Sequence, residues 1–333
     1  LVSVIIPVRD RVHTLGETLA SLQVQTEMNW ECLVVDDHSS DGLEEMMRGF
    51  RTDERISYWR LEGTGGANAA RNLGMIKSRG EFLLFLDSDD ALGPKCLEQR
   101  NRILQANPEL DFGVFPTLLF RETAGDTKIL WNVQTAESDL DRFLFLDIPW
   151  QTGGVLWRRS GLKKIGEWRE GLPSWQDWEM HLRALIEGLR YEWLGTPDSY
   201  WRMPRSDSLW NQTKEATHLE ARLELLDAIR ESLQRAGKLG PRQKDLLAGL
   251  YFWHARAWYS KRRRGRAIGA WARAWWHQLV SGRRFLEGCR WFSGWMRGRS
   301  DKVPVVFPHW PKEYETGISI TFQKRLLSEI TRQ

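Results

Sequence analysis

Cysteine is scarce in this chain of 333 residues, and Cys32, Cys96 and Cys289 are odd in number and far apart. That pattern supports neither a disulfide framework nor a zinc cluster, and it suits a reducing compartment. No window approaches the ~18 consecutive apolar residues of a membrane-spanning helix. The opening LVSVIIPVRD lacks the basic head and cleavage site of a signal peptide. The chain is therefore expected in the cytoplasm, at most peripheral on the inner face of a membrane. A Walker A loop is missing, which removes the phosphate cradle an ATPase needs. No exact repeat and no low-complexity linker interrupts the sequence. What remains is a globular composition, 41% hydrophobic and 28% charged, long enough for about two domains or for one core domain with an extension.

Acidic residues are nearly absent from one region. Residues 261–299 hold eleven Lys and Arg against the single acid Glu287, a local charge of +10, so within a net charge of +4 the remainder of the chain sums to −6. Tryptophan is abundant, with 19 in all and seven between Trp253 and Trp295.

Short apolar runs alternate with amphipathic stretches over the first 120 residues. VSVIIP, ECLVVDD, ISYWRL and EFLLFLD read as strands, and Thr14 to Gln25, Leu43 to Phe50 and Gly66 to Ser78 read as helices. This alternation predicts right-handed crossovers and a mostly parallel sheet covered on both faces. Beyond Asp111 the rhythm loosens. DFGVFPTLLF, KILWNV and GGVLWRR are expected strands, and Ser138 to Leu146 and Ser174 to Glu187 expected helices. From Trp210 the pattern is almost wholly helical, with predicted helices over Lys214 to Ala236, Pro241 to Ser260, Arg266 to Val280 and Arg283 to Met296, then a proline-marked tail around VPVVFPHWP.

Two of the predicted strands run into acids: LVVDDHSSD carries Asp36, Asp37 and Asp41, and FLLFLDSDD carries Asp87, Asp89 and Asp90. In open parallel sheets ligands collect at the carboxyl ends of strands. Carboxylates this close repel and raise one another's pKa unless a cation sits among them. Hard oxygen ligands favour Mg or Mn, which commonly bridge a few carboxylates to substrate phosphates. Asp41, just before Gly42, reads as a turn former. Three acids in the four residues after FLLFL are poorly explained by capping.

In order, VSVIIPVRD, LVVDDHSSD, GGANAARNLG, FLLFLDSDD and WQDWE resemble the family 2 glycosyltransferases of the GT-A fold, over roughly residues 1–205. The resemblance implies an α/β, Rossmann-like GT-A domain over 1–210, with a nucleotide-binding half (1–110) and an acceptor half (111–210). The mostly helical, basic, Trp-rich region 211–333 then forms a C-terminal extension. It further implies that Pro7, Val8 and Arg9 line the base pocket of a nucleotide sugar, that Asp37 pairs with the uracil imide while Asp36 holds the loop, that Arg71 and Asn72 lie near the diphosphate or the loop around it, and that Asn68 belongs to the nucleotide-binding set. Arg71 could equally pair with Asp36 or another strand-end acid. Asp87 and Ser88 then correspond to the residues beside the ribose, Asp89 and Asp90 to the ligands of a divalent Mn or Mg ion, and Asp177 to the general base of an inverting transfer. Gln176 departs from the family's usual Glu, and DHSSDG from its DGSTD-like run. The loop PVRDRVHTLGE lacks the glycine-rich pattern of a sugar-nucleotide pyrophosphorylase, and no Q-x-x-R-W element follows WQDWE, so a processive synthase is disfavoured.

The expected activity is metal-dependent transfer of a sugar from a nucleotide donor, in first place a UDP-sugar, to a hydroxyl of a glycan or lipid-linked acceptor. The alternative is an inactive nucleotide-sugar-binding protein that uses its helical tail as a binding surface. In that tail Ile268, Trp271, Ala272, Trp275 and Leu279 fall on one stripe, and Phe285, Cys289, Phe292 and Trp295 or Met296 on the next. These stripes are expected to pack on the protein itself, or in part on an anionic membrane through residues 261–299. Nucleic acid is disfavoured because no recognisable module for it is present.

Overall fold

The computed structural model describes residues 1–203 and 216–295. In chain order its elements begin with β1 (Val2–Val8), α1 (Val12–Gln23), β2 (Trp30–Asp36), α2 (Leu43–Arg48), β3 (Ile56–Arg60), α3 (Ala67–Lys77) and β4 (Phe82–Phe85). There follow β5 (Ala91–Leu92), α4 (Cys96–Ala106), β6 (Phe112–Val114), β7 (Thr117–Phe120), α5 (Asp139–Leu144), β8 (Val155–Arg158), α6 (Arg159–Ile165) and α7 (Gln176–Ile186). The order closes with β9 (Tyr191–Trp193), β10 (Ser199–Arg202), α8 (Ala216–Arg235), α9 (Pro241–Ser260), α10 (Arg264–Trp276) and α11 (Gly282–Trp295). The predicted tail around VPVVFPHWP lies outside the described residues.

Two compact units emerge. The first takes Leu1–Gln134, Pro149–Leu172 and the described residues from Glu187 to 203; the second takes Thr135–Ile148, Pro173–Ile186 and the described residues from 216 on. The expected acceptor half is thus distributed over both units.

In the first unit a seven-stranded sheet runs β3-β2-β1-β4-β8-β6-β9. β1 is parallel to both β2 and β4, whereas β8 is antiparallel to β4 and β6. All residues of β1, β2 and β4 are buried, as continuous apolar strands covered on both faces must be. At the edge, β3 buries Ile56 and exposes Trp59 and Arg60. Leu15, Leu19 and Leu22 recur at i, i+4 and i+7 along α1 and join Val4, Ile6, Val34 and Leu84 in the core. The chain winds outward from β1 through β2 to β3, then returns to place β4 on the other side of β1. That reversal puts the switch point, where open α/β sheets bind ligands, at the carboxyl ends of β1 and β4.

A second sheet, β5-β10-β7, lies beside the Asp87–Asp90 segment. Arg100 on α4 ties it to the large sheet: its Nε donates to Asp198 at 2.9 Å, its Nη1 to the Gly153 carbonyl at 2.7 Å and its Nη2 to Ser199 at 3.0 Å. Three expectations shift here. KILWNV forms only an isolated bridge, Leu118 to Leu130, because the loop 121–127, with Gly125 at φ 91°, intervenes after β7. GGVLWRR becomes a strand only from Val155, its glycines forming a 3-10 turn in which Gly154 lies too close to Phe115 and Thr117 for a side chain. The helix α4 and the short strands β5, β9 and β10 carry no periodic signal strong enough to predict.

The second unit is helical. The buried face of α10 is Ala267, Ala270, Trp271 and Ala274, and the alanines let it approach α9 closely. The predicted stripe therefore splits: Trp271 and Leu279 are buried, while Ile268 and Trp275 are exposed, with Trp276 beside them 78% exposed. Asp227 on α8 joins three helices, accepting from Tyr251 on α9 and from Arg273 on α10 at 2.6 Å, with His277 at 3.0 Å.

Removing one partner of a buried ion pair leaves the other charge uncompensated. Asp198→Ala is therefore expected to lower the unfolding free energy by about 3–5 kcal/mol in urea titrations; a loss under about 1 kcal/mol, the size of an exposed pair, would contradict the role of Arg100 as the tie between the sheets.

Candidate active site

Strand geometry delivers the acids. β1 and β2 pair in register up to Val8 opposite Asp36, and the Asp37 amide then donates to the Val8 carbonyl at 2.8 Å. Asp36 is fully buried; it accepts from the Ser39 amide at 2.7 Å and from the Tyr58 hydroxyl at 2.7 Å, with Arg60 at 3.4 Å. Every lone pair so used holds the loop, as expected of this residue. Asp37 is also buried, and its carboxylate meets His38 Nδ1 at 3.2 Å and the exposed Arg9 guanidinium at 3.6 Å. A Cβ on Gly65 would lie 1.9 Å from the Asp37 carboxylate, so only glycine lets that backbone approach. Pro7 and Val8 are buried within β1, and Arg9 extends from its end.

From Gly66, at φ 125°, the chain enters α3. Three polar residues of this helix point inward. Arg71 donates to Asp87 at 3.0 Å and to Asn68 at 3.0 Å, and lies 4.6 Å over the Trp168 ring. Asn68 donates to the Arg169 carbonyl at 2.6 Å. Asn72 donates to the Trp168 carbonyl and accepts from its amide, both at 2.9 Å. Of the two partners open to Arg71 in the sequence, the fold supplies Asp87.

Beyond β4 the Leu86 amide still bonds to the Ile5 carbonyl at 3.0 Å, and Asp87 to Asp90 close a turn at 3.1 Å. Arg202, at the end of β10, fixes that turn: its amide donates to the Asp90 carboxylate at 2.9 Å and its Nε to the Asp89 carbonyl at 2.9 Å. Thr18 donates to the Asp90 carbonyl at 2.7 Å. Ser88 is buried in the turn. Burial, and then the neighbouring Asp87 charge, raises the pKa of Asp89; burial, Asp89 and Asp87 raise that of Asp90 well above the ordinary carboxylate value. Ionising all of these carboxylates together is therefore disfavoured without a cation beside them.

A divalent ion can be tested against these residues. Among the described residues no group of three or more His, Cys, Asp or Glu side chains is arranged to hold a metal. The turn offers Asp89 and, with one oxygen already engaged by Arg202, Asp90. One or two carboxylates completed by phosphate oxygens and water is how Mg binds at phosphate-transfer sites, so the donor set fits an ion that arrives with a diphosphate, and does not fit an all-protein cage.

Pro7, Val8, Arg9, Asp37, Asn68, Arg71, Asp87, Ser88, Asp89 and Asp90 all belong to the first unit. Asp177 belongs to the second, in the first turn of α7, where Trp178 Nε1 donates to the Phe143 carbonyl at 2.8 Å. Sequence reasoning missed Gly65, Tyr58, Trp168 and Arg202. Gly65 carried a signal, since it begins the glycine pair before α3. Arg202 carried none, lying 112 residues from Asp90.

A sheet wound in this order, with acids at the switch point, is the α/β arrangement of the GT-A class. Residues 3–166 match the model of Glycosyl transferase family 2, and the chain belongs to that family. One relative is the UDP-Glc:alpha-D-GlcNAc-diphosphoundecaprenol beta-1,3-glucosyltransferase WfgD of Escherichia coli, 38% identical over 107 residues, 32% of this chain and 42% of that protein. The chain thus spans less than half of that enzyme, and only 17% of an uncharacterized glycosyltransferase of Rickettsia felis. The fold resembles residues 1–349 of Staphylococcus aureus TarS in complex with UDP-GlcNAc, with a TM-score of 0.67 at 19% identity over 91% of this chain and 94% of that one. It also resembles the mannosyltransferase PcManGT of Pyrobaculum calidifontis in complex with GDP-Man and Mn2+, with a TM-score of 0.53 at 17% identity over 99% and 86% of the two chains.

Asp90 has a higher pKa folded than unfolded, so its contribution to stability is full below the ordinary value near 3.9 and is lost as pH rises through the folded value. Asp90→Asn keeps the acceptor for the Arg202 amide and removes the charge. In metal-free urea titrations the variant is expected to be more stable than the parent at pH 7.5, with the difference vanishing near pH 4. A variant less stable at both values would contradict the charge imbalance.

Proposed function

We propose that the protein is a metal-dependent, inverting, non-processive glycosyltransferase that moves a sugar from a UDP-sugar to a hydroxyl of a glycan or lipid-linked acceptor. The observation that carries this reading is the turn Asp87–Asp90 at the carboxyl end of β4, beside the end of β1 and in one unit with Asp37 and α3. In its support, WfgD is named for a UDP-glucose donor and TarS was solved with UDP-GlcNAc.

Asp37, held beside Gly65, accepts from the uracil imide. Asn68 and Arg71 position Asp87 at the ribose edge, next to Ser88. Asp89, with Asp90 behind it, would hold the divalent ion, Mn or Mg; when bound, the ion supplies Lewis-acid neutralisation of the departing diphosphate. Asp177 removes the acceptor proton as that oxygen attacks the anomeric carbon from the side opposite the nucleotide. The anomeric C–O bond to the diphosphate breaks in the same displacement, so configuration inverts.

In this proposal residues 1–210 carry the chemistry and residues 211–333 form an accessory region. No helix among the described residues is long and apolar enough to cross a membrane. The outward stripe Ile268, Trp275 and Trp276, set among the arginines of α10, supports peripheral contact with an anionic surface. The acceptor named in the WfgD relative is itself a lipid diphosphate.

General-base assistance is worth about 10^2–10^4 in rate. Asp177→Asn is expected to lower acceptor-dependent UDP release with Mn by that factor while UDP binding is retained. Loss of both together, or transfer unchanged, would remove Asp177 from the role. Donor hydrolysis undetectable in the parent protein, although nucleotide binds, would favour the inactive binding protein.

A further inference from the structure

Four arginines are buried among the described residues: Arg71, Arg100, Arg142 and Arg222. Three have carboxylates. Arg71 meets Asp87, Arg100 meets Asp198, and Arg142 meets Asp139 and Asp147. Arg222, on α8 and 4% exposed, has no acid within salt-bridge distance among the described residues. Its one hydrogen bond there runs from Nε to the Ser174 hydroxyl at 2.9 Å. Its guanidinium lies 4.9 Å over the Trp175 ring and 6.0 Å from that of Trp253. Neighbouring His254, fully buried, offers no negative charge: its Nδ1 meets the Leu250 carbonyl at 2.8 Å. Burial lowers its pKa to about 3, so the ring is neutral, and burial alone lowers that of Arg222 to about 10.

An unpaired buried charge is expensive, several kcal/mol after relaxation, and aromatic faces return only about 2 kcal/mol of it. Among the described residues every other buried arginine has a carboxylate, and this one is left short of an anion. Its position is specific. Ser174 and Trp175 immediately precede α7, an 11-residue helix whose first turn contains Asp177. Trp175 is held at φ 63°, a conformation rare for a bulky residue; its ring lies tilted at 4.7 Å from that of Trp178 and edge-on at 5.4 Å from that of His254. The entry to α7 is thus built around the guanidinium, and a helix N-terminus adds the positive end of its dipole. Asp177 in the same turn opposes an anion; Glu179 is already paired with Arg183 at 2.9 Å.

We propose that Arg222, Ser174 and the first turn of α7 form a subsite for a phosphate group of the acceptor, two residues from Asp177. This rests on the glycosyltransferase reading and narrows it: the acceptor carries a phosphate near the hydroxyl that is glycosylated. The shared chemistry is a tetrahedral oxyanion, and its source is either a lipid diphosphate or a phosphodiester in a polymer. Bidentate recognition by a planar guanidinium suits both.

The test measures binding of inorganic phosphate to the whole chain, in EDTA and at constant ionic strength with chloride as reference, by calorimetry. The parent protein is expected to bind phosphate, and Arg222→Met to bind it about tenfold more weakly or not at all, the loss of about one charged hydrogen-bonded contact. Met fills the space over Trp175 without a charge, so the variant should unfold at the same urea concentration as the parent or a higher one in phosphate-free buffer. Ser174→Ala, which leaves the charge, should weaken phosphate less. An alkyl diphosphate and a glycerol phosphate oligomer, each used as competitor, distinguish the sources; competition by either supports the subsite, and competition by neither overturns it. Equal phosphate binding by parent and Arg222→Met also overturns it, as does marked destabilisation of that variant without phosphate, which would make the arginine purely structural. Donor hydrolysis with Mn is read separately. Its absence in the parent would count against the glycosyltransferase reading and leave phosphate binding to be judged on its own.

Discussion

Mutual repulsion of Asp87, Asp89 and Asp90, brought to the end of a fully buried strand, is the constraint around which the first unit is organised. Each acid is treated differently. Asp87 receives Arg71 from α3, Asp90 receives the Arg202 amide, and the peptide between them is gripped by Arg202 Nε and Thr18. Those contacts fix the turn without cancelling its charge, and Asp89 and Asp90 remain harder to ionise than free carboxylates. A turn held this tightly, with charge left over, is preorganised for a cation that brings its own ligands.

The donor side follows the same logic of fixed backbone and uncommitted carboxylate. Asp36 spends its oxygens on Ser39 and Tyr58, which positions the loop so that the adjacent Asp37 faces Gly65. Arg71 could not serve Asp87 unless α3 were itself anchored. Asn68 and Asn72 do this by bonding to the backbone of residues 168–169, and Trp168 adds an edge-on contact with Phe85 at 5.0 Å.

The amino-terminal strands and helices were legible because their signals are local: continuous apolar runs for strands covered on both faces, and 3.6-residue periods for α1, α3 and α9. The acids were legible as a cluster, and the role of Asp36 in the loop followed from its neighbour. What lay hidden depends on contacts distant in sequence. Nothing around Arg202 announces that it belongs to Asp90, and nothing around Trp168 announces Asn72. The stripe drawn on α10 was misplaced because alanines, weak in a hydrophobic pattern, form its buried face, while Ile268 and Trp275 turn outward. KILWNV has the composition of a strand, yet it meets β7 only through the isolated bridge of Leu130 to Leu118.

Charge imbalance thus has two signs in this protein, negative at the Asp87–Asp90 turn in one unit and positive at Arg222 in the other. The central claim concerns the first. It is tested most directly by titrating Mn into the UDP-saturated protein in two buffers of different ionisation enthalpy. The account requires tight binding with a buffer-dependent heat, because carboxylates that hold protons against burial release them when the cation arrives. No binding, or binding with identical heats in both buffers, would contradict it.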